Sequence, residues 1–115
     1  MNEIDFIGYS AVHPDNFVYD VPNGFPGYLL LFMTSPAEIL AEDKIVHVPA
    51  NTAILYTPGC RIYYRAAGEE YRNDWIRFRS DHSFVEQFPL RNVPFSVTDP
   101  EYCHQLFKLL TWESS

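Results

Sequence analysis

The sequence predicts an all-β domain followed by a C-terminal helix, and three observations carry that expectation. Short apolar runs follow one another at close spacing, separated by Pro, Gly, Asn and Asp, as in the consecutive strands of a sandwich or barrel. Aromatic residues make up 17% of the 115-residue chain, types that suit a pleated, half-buried surface or an aromatic-lined pocket. The main stretch with helical periodicity lies at the end of the chain.

The first expected strands are Ile4–Ser10 and Phe17–Val21, short apolar runs on either side of Pro14-Asp15-Asn16. The loop Pro22-Asn23-Gly24-Phe25-Pro26-Gly27 then breaks the chain before Tyr28–Met33. That strand is continuously apolar, so it should be covered on both faces. Ala37–Leu40 and Lys44–Val48 come next, and Pro49-Ala50-Asn51-Thr52 is a tight turn in which Asn51 can take positive φ. Thr52–Thr57 and the aromatic Arg61–Ala66 flank the Pro58-Gly59 turn. In the strand Tyr71–Arg79, period two puts Ile76 and Phe78 on one face and Trp75 and Arg77 on the other. Phe95–Thr98 is the last strand. A shorter helical piece is expected from His82 to Phe88. The terminal helix should start with Asp99 as N-cap and Pro100 in the first helical position. Tyr102, Leu106, Leu109 and Leu110 then fall on one stripe. The sequence stops at Trp112-Glu113-Ser114-Ser115 without a helix-ending Gly or Pro, so the expectation is a boundary inside or just after a helix.

Charge narrows the function classes. The chain carries 15 Asp and Glu against 8 Lys and Arg, a net charge of −7. Binding to a phosphate backbone needs clustered Lys and Arg, so direct nucleic-acid binding is not expected, and neither is an anionic membrane surface. Cys60 and Cys103 form no CxxC and read as two free thiols of a reducing compartment. The opening MNEIDFIGYS is acidic where a secretory leader is positive, and Tyr28–Met33 is far too short to span a bilayer. A cytoplasmic protein with no membrane partner is expected.

Motifs for catalysis are missing. His13, His47, His82 and His104 show no HxH, HxxxH or HExxH spacing, and no metal is expected. His47, between Val46 and Val48, reads as a surface or hydrogen-bonded side chain. There is no GxSxG, GxGxxG or P-loop pattern. Glu69-Glu70 beside Gly68 reads as a solvated hairpin tip, because carboxylates working as acid and base must face each other across a substrate. What stands out is a set of aromatic and polar side chains on neighbouring strands: Tyr56, Tyr63, Tyr64, Tyr71 and Trp75, with Arg61, Arg65 and Arg77 among them. Such a face suits a small polar ligand such as a sugar. It equally suits amphipathic strand residues at the rim of a core.

Three segments in this order, DVPNGFPGYLLL from Asp20, PANTAILYTPG from Pro49 and YRNDWIRF from Tyr71, resemble the N-terminal sensing domain of AraC-family transcription regulators. The resemblance covers nearly the whole chain. It implies a cupin-like jelly-roll β-barrel (a double-stranded β-helix) over residues 1–98, with residues 99–115 starting a C-terminal helix for dimerisation or linkage. The family's DNA-binding half, a pair of helix-turn-helix units, is missing from this sequence, in keeping with its acidic balance. The implied function is sensing of a small effector, without a cofactor and without catalysis, in a homodimer that reaches DNA only through the missing half. Carried over, the ligand-binding positions are Ser35, Tyr64, Asn73, Trp75 and Arg77, and the dimer contact is Leu106, Leu109 and Leu110. The leucine stripe could instead pack on its own barrel.

The sequence departs from related patterns in three places. Ile62 stands where metal-binding cupins place a His after the Pro-Gly turn. Ser35 stands where the arabinose-type sensor has an Arg, and Arg77 stands where many relatives carry His. A guanidinium fork is not replaced by a hydroxyl without changing what binds. Two other readings compete with the sensor: a stand-alone cupin-like enzyme such as a sugar isomerase or oxygenase, and a dimerisation module whose barrel has lost its ligand.

Overall fold

Among the described residues, nine strands form two antiparallel sheets in the computed structural model of the chain. The structure describes residues 3–79, 91–101, 103 and 105. The strands are β1 (Glu3–His13), β2 (Val18–Val21), β3 (Tyr28–Met33), β4 (Ala37–Ala41), β5 (Lys44–Val48), β6 (Thr52–Tyr56), β7 (Ile62–Ala66), β8 (Tyr71–Arg79) and β9 (Phe95–Ser96). One sheet runs β1-β8-β3-β6-β9 and the other β2-β7-β4-β5. The pairings are nested: β1 with β8, β2 with β7, β3 with β6, and β4 with β5. The chain is thus folded back on itself about the β4–β5 hairpin.

Alternation along the strands sorts the side chains into two apolar clusters. Leu29, Leu31 and Met33 of β3 join Ile39, Ile54, Tyr56, Ile62, Tyr64 and Tyr71 in the first. Tyr28 and Phe32, on the other face of β3, join Leu55, Ile76 and Phe78 in the second. The expected double burial of Tyr28–Met33 follows from this, since every residue but Leu30 is buried. Trp75 borders the first cluster, whereas Ile76 and Phe78 belong to the second, as period two requires.

The turns follow local chemistry. Asn51 has φ 67°, and its N–H donates to Met33 O at 2.8 Å. Gly59 has φ 77°, in the left-handed region that glycine enters without a Cβ clash. Glu42 and Asp43 join β4 to β5 with φ of 50° and 65°. Positive φ at both centres of a two-residue loop is the type I′ geometry that matches the twist of the flanking strands.

β1 is longer than expected and irregular. Its register against β8 shifts between Ile4 and Phe6 and again between Gly8 and Ala11. Ser10 lies in the second shift at φ 53°, and its N–H donates to Asp74 Oδ1 at 2.7 Å. The bulge therefore has a side-chain acceptor for a backbone donor.

Pro100, Glu101, Cys103 and Gln105 are helical, and Cys103 N–H donates to Asp99 O at 3.1 Å, closing a first turn at the expected place. The remainder of the expected terminal helix, with Leu106, Leu109 and Leu110, lies outside the described residues, as does the piece expected from His82 to Phe88. Among the described residues, no helix is long and apolar enough to cross a membrane.

Candidate functional site

A cavity of about 340 Å³ lies where edge strand β1 and its neighbour β8 face β2 and β7. β8 contributes Trp75 and Arg77, β7 contributes Tyr64, and β3 contributes Leu29. The other wall comes from His13 at the end of β1, Phe17, Tyr19 of β2, and Phe25 in the loop before β3. Five of these eight side chains are Phe, Tyr or Trp, and none is acidic.

Three of the expected binding residues meet here. Tyr64, Trp75 and Arg77 all line the cavity. Asn73 is not in the lining; it is buried one step along β8, where its Nδ2 donates to the Tyr71 hydroxyl at 3.1 Å. Its Oδ1 is buried with no hydrogen-bond partner. Ser35 is also absent from the lining. Its Oγ accepts from Arg72 N–H at 2.9 Å, so the hydroxyl ties the start of β8 to the β3–β4 connection. The sequence showed that a polar group followed the Tyr28–Met33 strand but not that a backbone donor 37 residues away would take it.

The aromatic wall is stacked. His13 lies 4.0 Å from Phe17, centroid to centroid and nearly parallel, and Phe17 lies 5.3 Å from Tyr71. Tyr64 sits 5.2 Å from Tyr19 and 5.6 Å from Tyr71. Burial pushes the Tyr64 phenol well above its ordinary range, helped by the neighbouring Tyr19 and Tyr56, while hydrogen bonding with Asn73 opposes the shift. Tyr71 is raised by burial and by Tyr64, again against Asn73. Both phenols stay neutral at physiological pH and can donate as well as accept.

Trp75 depends on a residue that carries no chemistry of its own. Gly8 is its register partner on β1, and a Cβ added there would lie 2.1 Å from Trp75 Nε1. The indole therefore lies across the bare backbone of β1. Gly24 holds the Phe25 loop in a similar way, since a Cβ there would meet Cys60 O at 2.2 Å. Phe25 O also accepts from Gly59 N–H at 2.9 Å, which pins the loop to the turn before β7.

Arg77 is the cation of the site. Its Cζ lies 3.5 Å from the Phe25 ring centroid and 5.1 Å from that of Phe6. The other side chains in the aromatic set face elsewhere. Tyr63 points outward between Arg61 and Arg65, and Tyr56 is core, its hydroxyl donating to Leu40 O at 2.8 Å. His47 and the Glu69-Glu70 pair are exposed.

His13, Phe17, Tyr19, Phe25 and Leu29 were not among the expected site residues. Phe17 and Tyr19 are two apart and so share a face of an extended segment, a signal that was legible. His13 and Phe25 carry no such signal, because their place depends on how β1 pairs with β8 and how the Gly24 loop folds. A wider cleft, about 490 Å³, is lined by Ser10, Phe32, Arg72 and Glu101 among others. Its Arg72 is already paired with Glu70 at 2.6 Å, and it offers no aromatic stack comparable to that around Tyr64. Among the described residues, no three of His, Cys, Asp and Glu gather closely enough to hold a metal ion. No protein-family model and no curated protein matches this sequence.

Proposed function

We propose that this chain is the ligand-sensing and dimerisation domain of a cytoplasmic bacterial transcription regulator of the AraC type, binding a small polar effector such as a sugar and catalysing no reaction. The observation that carries the reading is the aromatic cavity that brings Tyr64, Trp75 and Arg77 together between two sheets. In this reading the effector stacks on Trp75, accepts a hydrogen bond from the Tyr64 hydroxyl and is oriented by Arg77. Asn73 acts one layer behind, by positioning the Tyr71 phenol it bonds.

The nested strand pairing about the β4–β5 hairpin supports a jelly-roll, cupin-like barrel. The helical turn at Pro100 supports a helix that carries Leu106, Leu109 and Leu110 to a second copy of the chain. DNA contact belongs to helix-turn-helix units outside this sequence. Effector binding acts on them only through its differential affinity for two arrangements of the domain. The open cavity weighs against the ligandless module, whose barrel would be filled by its own side chains.

Thermal shift and calorimetric titration with a panel of small polar ring compounds, both neutral (pentoses, hexoses and their derivatives) and acidic (uronic and ring carboxylic acids), test the reading. At least one compound should raise the melting temperature of the wild-type chain, and Trp75→Ala should abolish that rise. A panel that leaves wild type unmoved, or a shift that survives Trp75→Ala unchanged, overturns it. Sedimentation velocity separately tests for the dimer.

A further inference from the structure

We propose that the ligand of the Tyr64–Trp75–Arg77 cavity is an organic anion: a single ring bearing a carboxylate, with the ring against Trp75 and the carboxylate on the Arg77 guanidinium. This rests on reading the cavity as an effector site.

The first ground is the state of Arg77. Arg61, Arg65 and Arg72 are each paired with a carboxylate, Asp20, Glu38 and Glu70 in turn, at 2.6–3.0 Å. Arg77 makes no ion pair among the described residues, and its Nε is buried without a hydrogen-bond partner. A guanidinium donor withdrawn from water and left unpaired is costly, and a bound acceptor removes that cost. The second ground is orientation. A distance of 3.5 Å from Cζ to the Phe25 centroid is the stacking distance of two flat groups, so the N–H edge of the fork remains available. That edge matches the two oxygens of a carboxylate, which a neutral hydroxyl cannot match.

The third ground is the contrast between the cavity and the chain. The whole sequence is acidic at −7, yet among the described residues the cavity wall includes a cation and no carboxylate. An anion entering it meets no like charge on that part of the wall. The volume, about 340 Å³, and the stacked aromatic wall suit one substituted ring. An aromatic acid and a sugar acid share this chemistry, and matched probes separate them.

Calorimetric titration of the full chain uses two pairs in which only the charge changes: sodium benzoate against benzyl alcohol, and sodium glucuronate against glucose. The expected result is that one acid binds roughly ten- to a hundredfold more tightly than its neutral partner. Its affinity should also fall as salt rises. Arg77→Gln should erase the preference for the acid, whereas Trp75→Ala should weaken both members of the pair alike. Circular dichroism checks that each variant folds. If Arg77→Gln does not fold, the acid-to-neutral ratio of wild type and its salt dependence decide alone. Equal binding of acid and neutral partner, or an acid preference that survives in folded Arg77→Gln, overturns the proposal and leaves the effector reading standing. If neither acid binds at millimolar concentration the proposal also fails, and the wider panel of ring compounds then judges the effector reading separately.

Discussion

Replacing Gly8 by Ala adds one methyl group and tests whether the backbone of β1 seats the Trp75 indole. The new Cβ would lie 2.1 Å from Trp75 Nε1, 2.5 Å from Cε2 and 2.8 Å from Cδ1. Carbon atoms in contact sit about 3.5–4.0 Å apart, so the ring edge must retreat by roughly 1.4 Å. Overpacking of this kind costs about 1–3 kcal/mol. Trp75 is half-buried and borders a cavity, so the middle of that range, about 2 kcal/mol, is appropriate. In the other direction, replacing Gly by Ala inside a strand contributes about 0.5–1 kcal/mol of stability. Gly8 has no positive φ to spoil that gain. The clash wins, and the net loss is about 1 kcal/mol. For a chain of 115 residues this lowers the melting temperature by roughly 4 °C.

A double-mutant cycle isolates the cause. In a Trp75→Ala background the clash is gone, and Gly8→Ala should raise stability by about 0.5–1 kcal/mol. The coupling between the two positions is then about 2 kcal/mol. Urea denaturation of the four proteins measures it. If Gly8→Ala stabilises both backgrounds equally, the indole does not lie on Gly8 and the account of the cavity wall is wrong.

Two further outcomes follow from the core and the turns. Burial holds the phenols of Tyr56, Tyr64 and Tyr71 above the ordinary value of 10.0, so above about pH 10 the unfolded chain binds fewer protons than the folded one. The stability these groups contribute is fully present below that pH and declines as pH rises through it. A melting temperature that stays flat from about pH 8 to about pH 11.5 would contradict this. In the β4–β5 turn, Glu42 and Asp43 hold φ of 50° and 65°, which Asn-Gly adopts with less strain. Glu42→Asn with Asp43→Gly should add about 1 kcal/mol, roughly 4 °C, and a lower melting temperature would refute the turn assignment.

Much of the fold was legible because alternation and turn chemistry are local. The strands Tyr28–Met33, Lys44–Val48 and Tyr71–Arg79 lie at the expected residues, and the turn at Asn51 has the expected positive φ. The opposite faces of Trp75 and Ile76 needed only period two. The candidate site was legible in part: Tyr64, Trp75 and Arg77 line the cavity, while Ser35 is taken up by the Arg72 backbone. No local feature of Ser35 distinguishes a ligand contact from a tie to a backbone amide.

The sequence by itself determined that the chain is built of short strands separated by turns and which residues share a face, because both depend on neighbours one or two positions away. The tertiary structure alone decided where the cavity opens. Its wall joins His13, Phe25, Tyr64 and Trp75 from separate strands and loops. The bulge on β1 likewise depends on Asp74, 64 positions along the chain, and the seat of the indole depends on the register that sets Gly8 opposite Trp75. Each of these is a contact between segments that meet only when the sheets form, and no periodicity within a segment encodes its partner.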